Sequence, residues 1–478
     1  MDIDIPTVLG LAQAAFTQRD FAAAETHFRS ALAAGHDDAD LHHHLGFLAR
    51  ERGEIDEAAI RYADAVERAP ADAYVLNNLG DCRRAQDRHA EAIALFRRAL
   101  ELRPNEAPIL GNLGRGYLFA KRPDLAIPYL EKSLAIAPDE IPVLSDYAIC
   151  LCSCARYADS LPVYRHMYRV QPSCNDARYL EALALLALGD FENGWRRHEV
   201  RWYARLGQDV RRDFSGIYWT GEDDLQGRTI LVHAEQGHGD TIMYLRYIQA
   251  LRHKADRVVL EVHPALKPLL EGTPDLYARG EDLPRADFHC SFMSLPRCFR
   301  TTLDTIPDEV PYLTVPPNTL ETWRERLGPG NGRRRIGIAW TGASRVWNRS
   351  IPLRQLKPLL QREDCEFHVL QIDMEPGDRD IMATLPHLVD HRGDLKTFAD
   401  TAAIAACMDL TITVDTALGH LAGALALPVW TMLPFGAEYR WRLSGETSLW
   451  YPTMRLFRQQ ALSDWPGVIA SVGAALDT

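Results

Sequence analysis

The stretch HAEQGHGDT, residues 233–241, places two glycines, two histidines and an aspartate between a strand-like apolar run and a helix-like one. Gly237 and Gly239 permit a tight turn and let a ligand approach the backbone closely. Asp240 is predicted to begin the helix, where two roles are open to it. It can cap the helix, which is worth about 1 kcal/mol, or it can accept a proton from a substrate hydroxyl as a general base. His238 receives no role from the sequence.

A second strand-to-helix junction, VDTALGHLAGALALPVW, places Asp415 and Thr416 at the end of the run LTITV, with Gly419 and His420 one turn later. The free N–H groups and partial positive charge of a helix N-terminus favour a phosphate. Thr416 can donate through its hydroxyl, and His420 can donate or carry charge. An ordinary capped helix with a solvent-exposed histidine is the alternative interpretation.

A third junction, TGASRVWNRSIPL, is a turn with Arg345, Asn348, Arg349 and Ser350 ahead of a helix-like run. An arginine here could bind a diphosphate in a bidentate manner. Only six of the 53 basic residues are lysine, so any single arginine is weak evidence in this chain. A surface loop explains this stretch as well as an anion site does.

We expect the three junctions to meet at a cleft. Four other side chains beside strand ends are candidates to line it: Thr241, Gln371, Glu438 and Arg440. Glu438 and Arg440 follow the strand-like run PVWTML. They could line the cleft, or they could equally pack the C-terminal helix back across the domains.

The elements that must position these residues alternate between strand and helix from residue 228 onward. Strand-like runs such as TILVHA, RVVLEV, RIGIAW and LTITVD are separated by helix-like ones, a pattern typical of parallel sheets. We predict two Rossmann-like halves, 228–318 and 334–478, joined by a linker at 319–333. Ligands of such sheets bind at the carboxyl ends of the strands, which is where the three junctions lie.

The N-terminal part of the chain repeats with a period of 34 residues. Proline, Leu-Gly, alanine and large apolar residues recur in this register, for example at Pro70, Pro104, Pro138 and Pro172. The pattern resembles the tetratricopeptide repeat, with about five units and a degenerate sixth in residues 1–204, followed by a linker at 205–227. The resemblance implies a helical superhelix that holds peptides or partner proteins on its concave face.

Composition narrows the function classes further. A net charge of -12 removes the basic field on which most nucleic-acid binders depend, so no nucleic acid is expected as a partner. The sequence contains no apolar run of about 18 residues, and its first residues lack the basic region of a signal peptide. We therefore expect a soluble cytoplasmic protein with no membrane span. Its nine cysteines, including Cys150, Cys152 and Cys154, are interpreted as reduced structural thiols.

The blocks HAEQGHGDT, NRSIPL, TFADTAA, VDTALGHLAGALALPVW and LWYPTMRLFRQ together resemble the bacterial tetratricopeptide-repeat glycosyltransferases. The catalytic half of that family is similar to the heptosyltransferases and, more distantly, to O-GlcNAc transferase. The resemblance covers nearly the entire chain. It implies an all-α repeat superhelix followed by an α/β GT-B fold, a nucleotide-sugar donor held mainly by the C-terminal half, and no required metal or other cofactor.

The same resemblance assigns roles to individual residues. The Gly-Asp junction after the first strand puts the catalytic base at Asp240. The Asp-Thr-x-x-x-His pattern puts donor contacts at Asp415, Thr416 and His420, and Arg349 stands where the family places a basic residue, often lysine, against the diphosphate. The His-Thr-Thr turn of O-GlcNAc transferase is absent, so its donor is not inferred.

The expected function is transfer of a sugar, with inversion, from a nucleotide sugar to a protein or peptide hydroxyl. Two alternatives remain open: an enzyme that acts on a glycan or lipopolysaccharide acceptor, and a non-catalytic adaptor with a decayed sugar-nucleotide domain. A homo-oligomer is compatible with all three.

Overall fold

The computed structural model describes residues 4–205, 212–342, 349–375, 377–385 and 387–478. The chain divides into two compact units, Met1–Cys154 and Ala155–Thr478. Each unit has its own core, and the two are considered separately below.

The first unit consists of consecutive helices that pair in sequence order. Their bounds are α1 Ile5–Thr17, α2 Phe21–Ala33, α3 Ala39–Glu51, α4 Ile55–Arg68, α5 Ala73–Ala85, α6 His89–Leu102, α7 Ala107–Phe119, α8 Pro123–Ile136 and α9 Ile141–Ser153. The glycine of the repeat lets the two helices of a pair approach, because a methyl group on Gly80 would lie 2.7 Å from the Phe96 ring. The equivalent pairs are Gly46 with Tyr62 and Gly114 with Leu130. The helical hairpins predicted from the repeat period are confirmed.

The second unit begins with three further helices, α10 Tyr157–Val170, α11 Asn175–Leu188 and α12 Phe191–His198. They bring the helices described before residue 205 to twelve. Gly189, at φ 89°, ends α11 in the left-handed conformation that glycine adopts most readily.

Two parallel sheets follow in the same unit. The strands of the first are β1 Ile217–Tyr218, β2 Thr229–His233, β3 Arg257–Val262, β4 Leu276–Ala278 and β5 Phe288–Ser291, in the order β1-β5-β2-β3-β4. The strands of the second are β6 Arg334–Ala339, β7 Cys365–Val369, β8 Leu388–Asp390, β9 Leu410–Val414, β10 Val429–Leu433 and β11 Met454–Arg458, in the order β11-β10-β9-β6-β7-β8. Every pair of neighbouring strands is parallel, so the carboxyl ends of each sheet share one edge.

Helices connect these strands in the manner expected of parallel sheets. They are α13 His238–Tyr244, α14 Ile248–Arg252, α15 Leu295–Cys298, α16 Pro317–Leu327, α17 Leu353–Leu360, α18 Asp378–Met382, α19 Phe398–Ala405, α20 Ala417–Ala424 and α21 Trp465–Leu476. The main core of the second sheet packs its inner strands against α17 and α21. All five residues of β9 are buried, which is typical of a strand covered on both faces.

Three segments differ from the predicted pattern. ALKPLLEG, one of the helix-like runs between the predicted strands, lies largely in a 3-10 helix, Pro264–Leu270, and is not α-helical. The missing N–H of Pro268 removes a helical hydrogen bond there. The predicted linker 319–333 includes most of helix α16. The predicted linker 205–227 contains strand β1, which pairs with β5 at the edge of the first sheet. Within the described part of the chain, no helix has the length and apolar character needed to cross a membrane.

Candidate functional site

Helices α13 and α20, one from each sheet, contact each other where their parent strands β2 and β9 end. The contact is close at Gly239, where an added methyl group would lie 3.0 Å from Cδ2 of His420 and 3.4 Å from Cα of Ala417. Gly239 therefore keeps side-chain atoms out of a space that His420 and Ala417 border. Two of the three junctions singled out from the sequence meet at this point.

Asp240 is the third residue of α13, not the first. Gly237, with extended backbone at φ -77° and ψ 165°, takes the capping position, so the prediction that Asp240 begins the helix was wrong by two residues. One carboxylate oxygen of Asp240 accepts a hydrogen bond from the Gly237 N–H at 3.1 Å. The other oxygen pairs with the guanidinium of Arg440. Asp240 therefore caps its helix and also reaches charged groups of the second sheet.

Five charged residues meet at this place, and we call them the charged cluster: Asp240, Arg349, Asp415, Glu438 and Arg440. Arg440 donates to both Asp240 and Glu438. Arg349 lies 3.6 Å from the Asp415 carboxylate, measured from Nη1 to Oδ2. The chain separation is large, since Asp240 and Arg440 are 200 positions apart.

Electrostatic coupling within the charged cluster is seen most clearly at Glu438. Desolvation raises the pKa of the Glu438 carboxyl above its ordinary value. The negative charges of Asp415 and Asp240 act in the same direction, whereas the two arginines of the cluster oppose them. Any anion that binds here must therefore compete with carboxylates for the guanidinium groups.

His420 borders the charged cluster and is 4% exposed, so the alternative of a solvent-exposed histidine was wrong. Its ring stacks on Trp441 at 5.2 Å between centroids, and its Nδ1 lies 2.9 Å from the Tyr451 hydroxyl. Burial, assisted by nearby arginines, holds the pKa of His420 well below its ordinary value. His420 is therefore neutral near pH 7, and of the two predicted roles only hydrogen-bond donation fits.

Thr416 and Gly419 shape the start of α20. Thr416 is the capping residue, with φ -142°, and its hydroxyl lies 2.8 Å from the hydroxyl of Thr413. A methyl group on Gly419 would lie 3.2 Å from Cγ2 of Thr413, so this glycine permits close packing of the helix on its own strand. Gly419 therefore lets the helix pack closely on its strand, and the donor contact that we predict for this glycine stays a prediction.

The loop after β6 is held by two of the other predicted cleft residues. Gln371 accepts hydrogen bonds from the N–H groups of Trp340 and Thr341 at 2.7 and 3.0 Å. Ser350 accepts from the N–H of Gly342 at 3.1 Å. Both side chains therefore hold residues 340–342, which follow β6. Arg345 and Asn348 lie outside the described residues, and Thr241 is buried at 1% exposure.

His238, which the sequence left without a role, packs in a ring cluster between the two sheets. Its ring lies 4.6 Å from that of His263, which follows β3, and 5.0 Å from that of Phe398, the first residue of α19. Burial lowers the pKa of His263 to about 4 and also lowers that of His238. These neutral rings contribute a second contact between the sheets.

Sequence reasoning missed several buried groups behind the site. Arg246, 6% exposed, donates to the carbonyl oxygens of Pro307 and Trp450 at 2.6 and 2.8 Å. Its guanidinium lies 4.7 Å from the centre of the Tyr451 ring. Arginine is so frequent in this chain that nothing in the sequence distinguishes Arg246. Tyr451 belongs to the block LWYPTMRLFRQ and could have been marked as a candidate.

The chemistry available here combines acid–base and anion-binding groups. Asp240 can accept a proton, and Arg349, Arg440, neutral His420 and the N-terminus of α20 can donate to an anion. These groups come from the carboxyl ends of strands in two different sheets, where ligands of parallel α/β folds bind.

Comparison with known proteins identifies the helical repeats. Residues 37–105, 71–139 and 155–194 match the family described as tetratricopeptide repeat. These parts of the chain are tetratricopeptide repeats, and a repeat protein of this kind is expected to bind protein partners.

Among curated proteins, the chain is 26% identical over 339 residues to protein FlbA of Caulobacter vibrioides. The match covers 63% of this chain and 54% of FlbA, so this chain spans about half the length of that relative. Among solved structures, Pseudomonas aeruginosa pilF is 23% identical, with 40% of this chain and 88% of that chain covered and a TM-score of 0.36. YrrB, a TPR protein with an unusual peptide-binding site, is 17% identical over 38% of this chain and 98% of its own, with a TM-score of 0.33.

Proposed function

We propose that this chain is a glycosyltransferase that moves a sugar from a nucleotide-sugar donor to a hydroxyl of a protein or peptide acceptor. One observation carries the proposal: the charged cluster and His420 come together where strand ends of two parallel sheets meet. A GT-B arrangement of the two sheets and an inverting reaction that needs no metal are part of the proposal.

In the proposed reaction, a carboxylate oxygen of Asp240 takes the proton from the acceptor hydroxyl. The hydroxyl oxygen forms a bond to the anomeric carbon, and the bond from that carbon to the nucleoside diphosphate breaks. The leaving diphosphate keeps the electron pair. Fixed hydrogen-bond donors around the diphosphate would stabilise the charge that develops there.

Arg440 is the residue whose partners must change most in this scheme. It now donates to Asp240 and Glu438, and a diphosphate offers the same guanidinium a bidentate partner of higher charge. Moving Arg440 from Asp240 to the diphosphate would leave the carboxylate free to act on the acceptor. The proposal therefore links donor binding to activation of the base.

The helical repeats support a protein or peptide acceptor, since an array of this kind can hold an extended chain while a hydroxyl reaches the site. The proposal places the acceptor segment on the repeats and the donor against the second sheet.

Replacing Asp240 by asparagine tests the base directly. We expect Asp240→Asn to lower transfer by a factor of at least about 100, with nucleoside-diphosphate affinity changed by less than about threefold. Transfer is measured with radiolabelled nucleotide sugars, and binding is measured as thermal stabilisation by ADP, GDP, UDP, CDP and dTDP.

Asp400 supplies a matched control for this variant. Like Asp240 it is the third residue of a helix and accepts from the capping residue's N–H, here Thr397 at 2.9 Å. Asp400→Asn removes the same kind of cap without touching the charged cluster, so it should retain transfer. Normal transfer by Asp240→Asn would remove Asp240 as the base.

A non-catalytic adaptor is the second candidate, and one observation favours it. The carboxylates of Asp240 and Asp415 and the ring of His420 already have partners inside the chain, as groups with a purely structural role would. A ligand at 100 times its Kd stabilises a protein by about 2.7 kcal/mol, which a melting curve detects. Unchanged melting with all five nucleoside diphosphates would favour the adaptor.

A further inference from the structure

Tyr451 contacts His420 on the side of the ring away from α13. The tyrosine is fully buried, and its hydroxyl lies 2.9 Å from Nδ1 of His420. The opposite edge of the histidine ring, at Cδ2, faces Gly239. Nε2 is bonded to Cδ2, so it lies on the edge of the ring away from Tyr451.

The neighbours of the Tyr451 hydroxyl decide which atom carries the proton of this hydrogen bond. The Tyr312 hydroxyl accepts from Arg246 at 3.2 Å, because a guanidinium can only donate. The hydroxyl of Tyr312 lies 3.5 Å from that of Tyr451, and its own proton also has a carbonyl acceptor, Ile242 O, at 3.1 Å. In that 3.5 Å contact the Tyr451 oxygen is the acceptor. Among the described residues, Nδ1 of His420 is then the acceptor within reach of the buried Tyr451 proton, so the hydroxyl donates to Nδ1.

We propose that Tyr451 is a positioning residue that holds His420 in the Nε2–H tautomer, so that His420 donates a hydrogen bond to the diphosphate of the sugar donor. The identity of this anion rests on the proposed function, whereas the tautomer follows from the contacts of Tyr451 alone. Stacking on Trp441 fixes the plane of the ring and with it the direction of the Nε2–H bond.

A neutral donor suits this position because the site already holds two guanidinium groups. Burial and the positive charges of Arg440, Arg246 and Arg349 all oppose protonation of His420. The ring therefore binds an anion through one oriented N–H, and the wrong tautomer would present a lone pair to the phosphate oxygens.

The tautomer is measured without any assay of activity. The full-length protein is labelled with ¹⁵N-histidine, and the His420 signals are identified by their loss in His420→Gln. We expect Nδ1 to give the shift of an unprotonated ring nitrogen and Nε2 that of a protonated one. In Tyr451→Phe, which keeps the ring and removes the hydroxyl, this preference should weaken. The opposite tautomer, or a doubly protonated ring at pH 7, would overturn the proposal.

Two substitutions at 420 test what the tautomer does. The glutamine amide nitrogen takes the place of Nε2, and the asparagine amide nitrogen takes the place of Nδ1. We expect His420→Gln to bind the preferred nucleoside diphosphate within about threefold of the parent. His420→Asn should bind about tenfold or more weakly, as expected for a lost hydrogen bond to a charged group. Equal loss in both variants would contradict donation from Nε2.

The two proposals fail in different ways. If no nucleoside diphosphate binds the parent protein, the proposed function fails, and the nitrogen shifts still decide the tautomer. If nucleoside diphosphates bind but His420 shows the other tautomer, the positioning role of Tyr451 fails and the glycosyltransferase proposal stands.

Discussion

At the scale of single residues, Asp240 is held by contacts to both of its carboxylate oxygens. One accepts from the Gly237 backbone, and the other pairs with Arg440. The capping bond fixes the side chain from the first sheet, and the ion pair reaches it from the second. Capping and catalysis, which the sequence presented as alternatives, are compatible in the proposed reaction, because capping uses one carboxylate oxygen and the other becomes free when Arg440 moves to the diphosphate.

Gly239 is the position where a single methyl group should disturb the site most directly. The methyl of Gly239→Ala would lie 3.0 Å from His420, whose ring cannot easily retreat because Tyr451 and Trp441 hold it. We expect a loss of about 1–3 kcal/mol in the free energy of unfolding, as for overpacked cores, and weaker nucleoside-diphosphate binding. Urea unfolding and thermal stabilisation measure the two effects.

The control for this variant is Gly473→Ala in helix α21, where an added methyl group has nothing within 4 Å. Alanine is the better helix former, so this change should be neutral or should stabilise by up to about 1 kcal/mol. If Gly239→Ala behaved like Gly473→Ala, the close contact between α13 and α20 would not be a constraint.

At the scale of elements, α12 and the turn after it support the strand ends of both sheets. The ring of Trp195 in α12 lies 6.4 Å from that of Tyr244 in α13 and 5.7 Å from that of Tyr439, which follows β10. Arg201, in the 3-10 turn after α12, is fully buried and donates through Nε to Glu235 at 2.9 Å. Glu235 belongs to the same stretch as Asp240, so the last helices of the repeat region hold the loop that carries the proposed base.

Arg201 should therefore be costly to replace. It also donates to Glu199 at 2.8 Å, and despite desolvation its charge helps to lower the pKa of that carboxyl to about 2. Arg201→Met would leave buried Glu235 and Glu199, whose side chain is 14% exposed, without their main cation. We expect a loss of about 3–5 kcal/mol in the free energy of unfolding, measured in urea.

An exposed ion pair gives the comparison for Arg201. Arg300 and Glu222 lie 3.0 Å apart, with side chains 77% and 70% exposed, and Arg300→Met should cost less than about 1 kcal/mol. Similar losses in the two variants would mean that the buried pair does not anchor the strand-end loop.

The sequence predicted elements that are stabilised by contacts between residues close together in the chain better than contacts between distant residues. The repeat period predicted the helical hairpins because glycine and its large partner, such as Gly80 and Phe96, belong to one repeat. Apolar runs predicted strands β2, β3, β6, β9 and β10, whereas the short edge strand β1 lies in a predicted linker. The pairing of Arg440 with Asp240 joins residues 200 positions apart, and no periodic signal marks such a contact. The tautomer of His420 depends on Tyr451, which the sequence did not place beside it.

At the scale of the whole molecule, the repeats do not all belong to one unit. Helices α1–α9 lie in Met1–Cys154, whereas α10–α12 belong with the two sheets in Ala155–Thr478. A cut placed at residue 200 or 204, where the repeat pattern ends, would remove Trp195 from beside Tyr244 and Tyr439. It would also remove Tyr179, whose hydroxyl accepts from Gln236 at 3.5 Å. A deletion meant to separate acceptor binding from donor binding should therefore end at Cys154.

Removing residues 1–154 tests whether acceptor binding depends on the first repeats while donor binding does not. The remaining chain, Ala155–Thr478, keeps the charged cluster, His420 and Arg201, so its nucleoside-diphosphate affinity should stay within about threefold of the parent. Hydrolysis of the nucleotide-sugar donor should continue. Incorporation of radiolabelled sugar into the protein fraction of a cell lysate should fall by about tenfold or more, because the first repeats no longer hold the acceptor. Full-length Asp240→Asn provides the opposite pattern, with an intact repeat array and no transfer. If the shortened chain labelled proteins as well as the parent does, acceptor binding would not depend on the first repeats. If the label entered a glycan fraction and not the protein fraction, a glycan acceptor would be favoured.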